Sequence, residues 1–133
     1  MTIVVGYLPS PQGEAALDQA IIEAQRAQAR LVVVNSSKGD ALVDDRLIDA
    51  REFHLLEEQL TSAGLDFWIE RSAQGRDAAD EILRVAQAQR AQLIVIGLRK
   101  RSTVGKFIMG STAQRILMQS GCPVLSVKAG NAW

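Results

Sequence analysis

One cysteine, Cys122, and one histidine, His54, stand in the whole chain. A lone cysteine excludes an intrachain disulfide, and with a single histidine no Cys/His cluster exists to hold zinc. No apolar run approaches the roughly 20 residues that cross a bilayer, so no membrane partner is expected. The opening MTIVVGYLPS lacks the basic segment and small-residue cleavage site of a secretory leader. A cytoplasmic protein is the expectation. Aromatic residues are also scarce. Phe107 alone accompanies the basic residues of the C-terminal part, which leaves no stacking platform and argues against nucleic-acid binding.

Acidic residues are missing from residues 82–133 altogether. All 15 carboxylates lie in residues 1–81 with seven Lys/Arg, a balance of −8; residues 82–133 carry eight Lys/Arg, a balance of +8. The formal net charge of zero hides this division. Either the fold interleaves the two halves and cancels their fields, or the C-terminal part forms a local anion site.

What is present reads as one α/β domain spanning 1–133. Thr2–Tyr7, Leu31–Asn35, Leu93–Gly97 and Pro123–Val127 are short, continuous, β-branched runs, the pattern of parallel strands covered on both faces. Leu65–Arg71 is a weaker strand whose polar positions suit a sheet edge. Helical periodicity fills the intervals at Pro11–Gln28, Asp44–Ala63, Asp77–Arg90 and Ser111–Ser120. Ser10-Pro11 starts the first helix, Gly64 stops the second, and Gly121 with Pro123 ends the fourth. The alternation βαβαβαβαβ with right-handed crossovers predicts a doubly wound five-stranded parallel sheet, ordered 2-1-3-4-5 or 3-2-1-4-5. In the second order the direction of winding reverses between strands 1 and 4. Ligands of open parallel sheets bind at such a reversal, which would bring the Leu8–Gln12 and Leu98–Gly110 loops together.

The second loop belongs to GLRKRSTVGKFIMGST, residues 97–112. Thirteen residues from Leu98 to Gly110 are long for a βα connection. Its glycines allow close approach of backbone N–H groups to an anion, and Gly110-Ser111-Thr112 opens a helix, where free N–H groups and the dipole favour phosphate. Arg99, Lys100, Arg101 and Lys106 add charge. A phosphate-bearing ligand is one reading; a helix capped by Ser111 with solvated cations is the other. The segment is not a Walker A loop, because Phe107 follows Gly105-Lys106 and Lys100 stands where its first glycine is required. Strand 1 ends Gly6-Tyr7-Leu8, without the carboxylates of a receiver domain.

Gly97, Gly110 and Ser111 fit the Gly-x2-Gly-x9-Gly-Ser/Thr pattern of nucleotide-binding universal stress proteins. AQLIVIG before the loop, and GSTAQRIL and CPVLSVK after it, also resemble that family. The likeness covers essentially the whole chain. It implies the order 3-2-1-4-5, a homodimer through strand 123–127, and an adenine nucleotide in the crevice: ATP, with or without Mg²⁺. The residues this places at the site are Val4, Leu8 and Val34 toward adenine, and Gly97, Arg99, Lys100, Lys106, Gly110, Ser111 and Thr112 toward phosphate. Two positions depart from the pattern. Lys100 replaces its second glycine, and Leu8 stands where that branch tends to carry an aspartate. No base or carboxylate is identifiable at the loop, so a regulatory binding module is expected rather than an enzyme. A dimeric interaction module without nucleotide and a slow ATPase are the alternatives.

Several other residues carry structural expectations. His54 reads as a partly exposed helix residue, Cys122 as a small buried side chain, and Asp44-Asp45 as an acidic helix start. Trp68 is expected to pack on the sheet, and Trp133 to cap a tail or interface.

Overall fold

The computed structural model describes residues 1–36, 47–72, 77–100 and 107–129, the side chains at 99, 100, 107 and 108 excepted. Ten elements follow one another: β1 (Thr2–Gly6), α1 (Pro11–Ala27), β2 (Arg30–Ser36), α2 (Ala50–Ser62), β3 (Phe67–Ser72), α3 (Ala78–Ala88), β4 (Leu93–Lys100), β5 (Phe107–Ile108), α4 (Ser111–Gln119) and β6 (Val124–Lys128). Five strands pair in parallel in the order β3-β2-β1-β4-β6. Among parallel strands this is 3-2-1-4-5. Val5 lies opposite Val33 on one side and Val95 on the other, so β1 is central. The weak fifth strand read from the sequence is β3, and it does lie at the edge.

Side chains alternate across the sheet into two cores. Ile3, Val5, Leu31, Val33 and Val95 pack under Leu17, Ala20 and Ala24 of α1 and Leu56 and Leu60 of α2. Val4, Val32, Val34, Ile94 and Ile96 pack under Ile82, Val85 and Ala86 of α3 and Ala113 and Ile116 of α4. The helix ends follow local chemistry. Ser10 caps α1, its hydroxyl accepting from the Gly13 N–H at 3.1 Å, with Pro11 in the first turn. Gly64, at φ 74°, takes the left-handed position after α2.

Four expectations change. First, α2 begins at Ala50, where Asp49 and Glu52 form a reciprocal capping box; Asp44 and Asp45 lie outside the described residues, as does Trp133. Second, β4 continues to Lys100 and pairs antiparallel with β5, Arg99 opposite Ile108 and Lys100 opposite Phe107. What reads as a loop from Leu98 to Gly110 is therefore partly a β-ribbon. A strand that outruns its neighbours needs a new partner for its backbone groups, and the returning chain supplies it. Third, Trp68 is 54% exposed, its indole N–H donating to Glu70 Oε2 at 2.7 Å. It shares a face with Val32 and Val34, but α3 packs mainly over β1 and β2 and reaches β3 through the Arg84 side chain, toward Glu70. Fourth, Cys122 is half-buried against the second core. His54 sits on the exposed side of α2, paired with Glu58 at 2.8 Å. Among the described residues no helix is long and apolar enough to cross a membrane.

Candidate functional site

Where the winding reverses, between the carboxyl ends of β1 and β4, lies a cleft. Tyr7, Leu8, Ser10 and Gln12 line one side, and Ile96, Gly97, Leu98 and Gly110 the other. Val34 and Ser36 of β2 and Ile82 of α3 contribute deeper wall. Three helices begin here: Gln12 and Gly13 of α1, Ala78 of α3, and Thr112 and Ala113 of α4 all line the same space. Each helix start carries a positive dipole end; Glu14 in the first turn of α1 and Asp77, Asp80 and Glu81 at the start of α3 offset two of them, and the start of α4, with no acidic residue in its first turn, keeps a field that favours an anion beside the apolar walls. The N-cap of α4 is Gly110, which has no side chain to bond the first turn.

Two glycines bring the walls together. An ideal Cβ on Gly97 would fall 2.1 Å from the Gln12 carbonyl oxygen, and one on Gly13 would fall 1.8 Å from the Leu8 carbonyl oxygen. The first turn of α1 is thus pressed onto the end of β4 and onto its own entry loop. Gly97, which the sequence offers as a point of anion approach, has a packing requirement of its own.

A buried amide fixes the entry loop from the other side. Asn35, fully buried at the end of β2, donates from Nδ2 to the Tyr7 carbonyl at 3.1 Å and accepts at Oδ1 from the Ile48 N–H at 2.9 Å. The Tyr7 N–H donates to the Val34 carbonyl at 2.9 Å. The loop after β1 is held at both peptide groups of Tyr7. Nothing in the sequence pattern marks Asn35 except a polar residue closing an apolar strand.

The charge division is partly cancelled by pairing. Arg115 of α4 bridges Asp77, at 2.6 Å, and Asp80 at the start of α3, tying together two of the helix ends that face the cleft. Arg84 pairs with the buried carboxylate of Glu81, Nε to Oε1 at 3.1 Å, and lies 3.9 Å from Glu70. The Glu81 hydrogen bond raises the Arg84 pKa above its ordinary value, and the Asp80 hydrogen bond raises that of Arg115. Two of the eight C-terminal cations therefore answer carboxylates of the N-terminal half.

Of the residues singled out from the sequence, Leu8, Val34, Gly97, Gly110 and Thr112 line the cleft. Val4 is fully buried in the second core beneath α3 and does not line it. Ser111 is exposed on the first turn of α4 and is also outside the lining. Arg99 and Lys100 lie in the β4 ribbon, and Lys106 lies outside the described residues. Ser10, Gln12, Gly13, Ser36 and Ile82 belong to the lining without having been singled out. The Leu8–Gln12 loop contains two of them by range, and the N-cap signal marks Ser10.

The universal stress protein family model matches residues 1–128. A universal stress protein of Mycolicibacterium smegmatis is 44% identical over 126 residues, covering 95% of this chain and 96% of its own length. The chain belongs to the universal stress protein family. A second relative, from Thermus aquaticus, is 31% identical over 96% of this chain and 98% of its own length. Among solved structures, a universal stress protein from Archaeoglobus fulgidus superposes with a TM-score of 0.69 at 29% identity, covering 96% of this chain and 98% of that one. One from the same organism in complex with dAMP gives 0.64 at 24% identity, with coverages of 96% and 98%. A universal stress protein in complex with cAMP gives 0.72 at 22% identity and 98% of both chains. These last two share the fold, and the adenine nucleotides are theirs.

Proposed function

We propose that this universal stress protein binds an adenine nucleotide, ATP first among them, in the cleft between the β1 and β4 loops. In this reading it acts in the cytoplasm as a non-catalytic regulatory module. The start of α4, capped by glycine and free of acidic residues, opening onto an apolar-walled cleft, carries the proposal. Phosphate would lie at the start of α4, where Gly110 leaves room, and the base among Leu8, Val34 and their neighbours. The dAMP and cAMP complexes of structurally similar proteins support an adenine ligand. Among the described residues no three His, Cys, Asp or Glu side chains are grouped to hold a metal, so Mg²⁺ would enter on the phosphates of the nucleotide.

Calorimetry with ATP on the native protein and on Gly110→Val tests this. Gly110 sits at φ −75°, ψ 171°, a conformation valine adopts freely, so any loss reports crowding and not backbone strain. Binding by the native protein, weakened in the variant, is expected. Equal affinity in both removes the start of α4 from the site, and no binding by the native protein overturns the reading.

Leu8 favours a second reading, a dimeric interaction module without nucleotide, because an apolar side chain lines the cleft where a carboxylate would bond a base. Both readings include a homodimer through β6, which among the described residues pairs with β4 alone. Sedimentation separates the outcomes: a dimer that takes up no ATP favours the second reading, and a monomer mass rules out the dimer in either.

A further inference from the structure

We infer that the side-chain amide of Gln12 recognises the phosphate end of the ligand, an inference that rests on the nucleotide reading above. Gln12 is the second residue of α1, half-buried, and lines the cleft. Its Cβ lies 3.1 Å from the ideal Cβ position of Gly97, so the residue packs on β4 just past its last register pair with β1 at Val95. It stands on the β1-loop wall at the point where that wall meets the opposite one of Gly97, Leu98 and Gly110.

The other polar side chains of the lining already have work. The Ser10 hydroxyl accepts from the Gly13 N–H at 3.1 Å. The Tyr7 hydroxyl donates to Glu14 Oε1 at 2.5 Å. Ser36 and Thr112 each have an interaction of their own. Among the described residues the Gln12 amide makes no hydrogen bond. A half-buried residue lining a cleft, whose side-chain amide has two donors and an acceptor uncommitted, is one a ligand would satisfy. Its position in the first turn of α1 adds the dipole's positive end, which favours a phosphoryl oxygen over a neutral hydroxyl as the partner. The Leu8 side chain, on the same wall, offers no competing polar contact.

The test is calorimetry with ATP and with adenosine on the native protein, Gln12→Leu and Gln12→Glu, at one ionic strength. Gln12→Leu should weaken ATP binding roughly 10- to 100-fold, the effect of one hydrogen bond to a charged group, and leave adenosine unchanged. Gln12→Glu should weaken ATP further, through repulsion, and again spare adenosine. The same Gln12→Glu chain should unfold at an equal or higher urea concentration, because a carboxylate in the first helical turn favours the fold. That opposition of stability and affinity is a signature no packing defect would give. Native-like ATP affinity in both variants overturns the role of Gln12 while leaving the cleft reading in place. Equal losses for ATP and adenosine overturn it as well. Absence of ATP binding by the native protein overturns both.

Discussion

Replacing Gly13 with alanine should destabilise this protein, although the rule for helices predicts the reverse. Glycine inside a helix is less favourable than alanine by about 1 kcal/mol, so the substitution ordinarily stabilises. Here the new methyl would sit 1.8 Å from the Leu8 carbonyl oxygen and 2.9 Å from its nitrogen. Real Cβ atoms essentially never come within 3.0 Å, so about 1.2 Å of separation must open between two backbone segments. Ser10 caps the helix on one side and Asn35 anchors Tyr7 on the other, so neither segment yields cheaply. Overpacking of this kind costs typically 1–3 kcal/mol, occasionally more. Taking about 3 kcal/mol and returning about 1 for helix propensity leaves a net loss near 2 kcal/mol. Urea unfolding followed by circular dichroism measures it, with Gly121→Ala as control, since nothing lies within 4 Å of a Cβ there. The control should be neutral or slightly stabilised. Gly13→Ala equal to or more stable than the native protein, with an unchanged m-value, would refute the claim that α1 is pressed onto its entry loop.

Other expectations follow from the same contacts. Asn35→Ala should cost about 2–4 kcal/mol in urea unfolding, since the Tyr7 carbonyl and the Ile48 N–H both lose their partner in a buried place; a cost under 0.5 kcal/mol, the ordinary surface range, would contradict it. Arg84→Met should cost roughly 1–3 kcal/mol, discounted for the guanidinium's partial exposure, because the buried Glu81 carboxylate loses its countercharge. Arg115→Gln should lower the unfolding midpoint at low salt, with the difference shrinking toward zero near 1 M NaCl; a salt-independent difference would mean the Asp77 and Asp80 bridges act through packing.

Much of the architecture was legible because it depends on patterns that tertiary contacts do not override. Continuous β-branched runs gave four strands, and the polar positions of Leu65–Arg71 placed β3 at the edge. Ser10 and Gly64 mark helix ends through side-chain and φ requirements that hold wherever the chain goes. The β4–β5 ribbon was not legible. Its partners are two residues each, too short for a period of two to register. Trp68 was misjudged because burial depends on whether a helix reaches over the edge strand, a matter of layer width. For the site, the loops and the reversal point were readable from connectivity. Gln12 was covered only as the end of a loop range, and Ser36 and Ile82 were not marked for the site, because which residues of a strand end or a helix stripe border the cleft depends on how the elements pack around it.

The central position of β1 has a consequence for synthesis. β1 is made before both of its neighbours: β2 follows at Arg30, and β4 only at Leu93. At roughly 5–20 residues per second, the interval between Gly6 and Gly97 lasts about 5–18 s on the ribosome. Through that interval the middle strand of the finished sheet lacks one of its two neighbours, and one side of the cleft has yet to be made. A ligand there touches both sides of this last-formed seam. It would act as a staple between the early and late halves of the chain, adding RT ln(1 + [L]/Kd) to their union, about 2.7 kcal/mol when the ligand stands at 100 times its Kd.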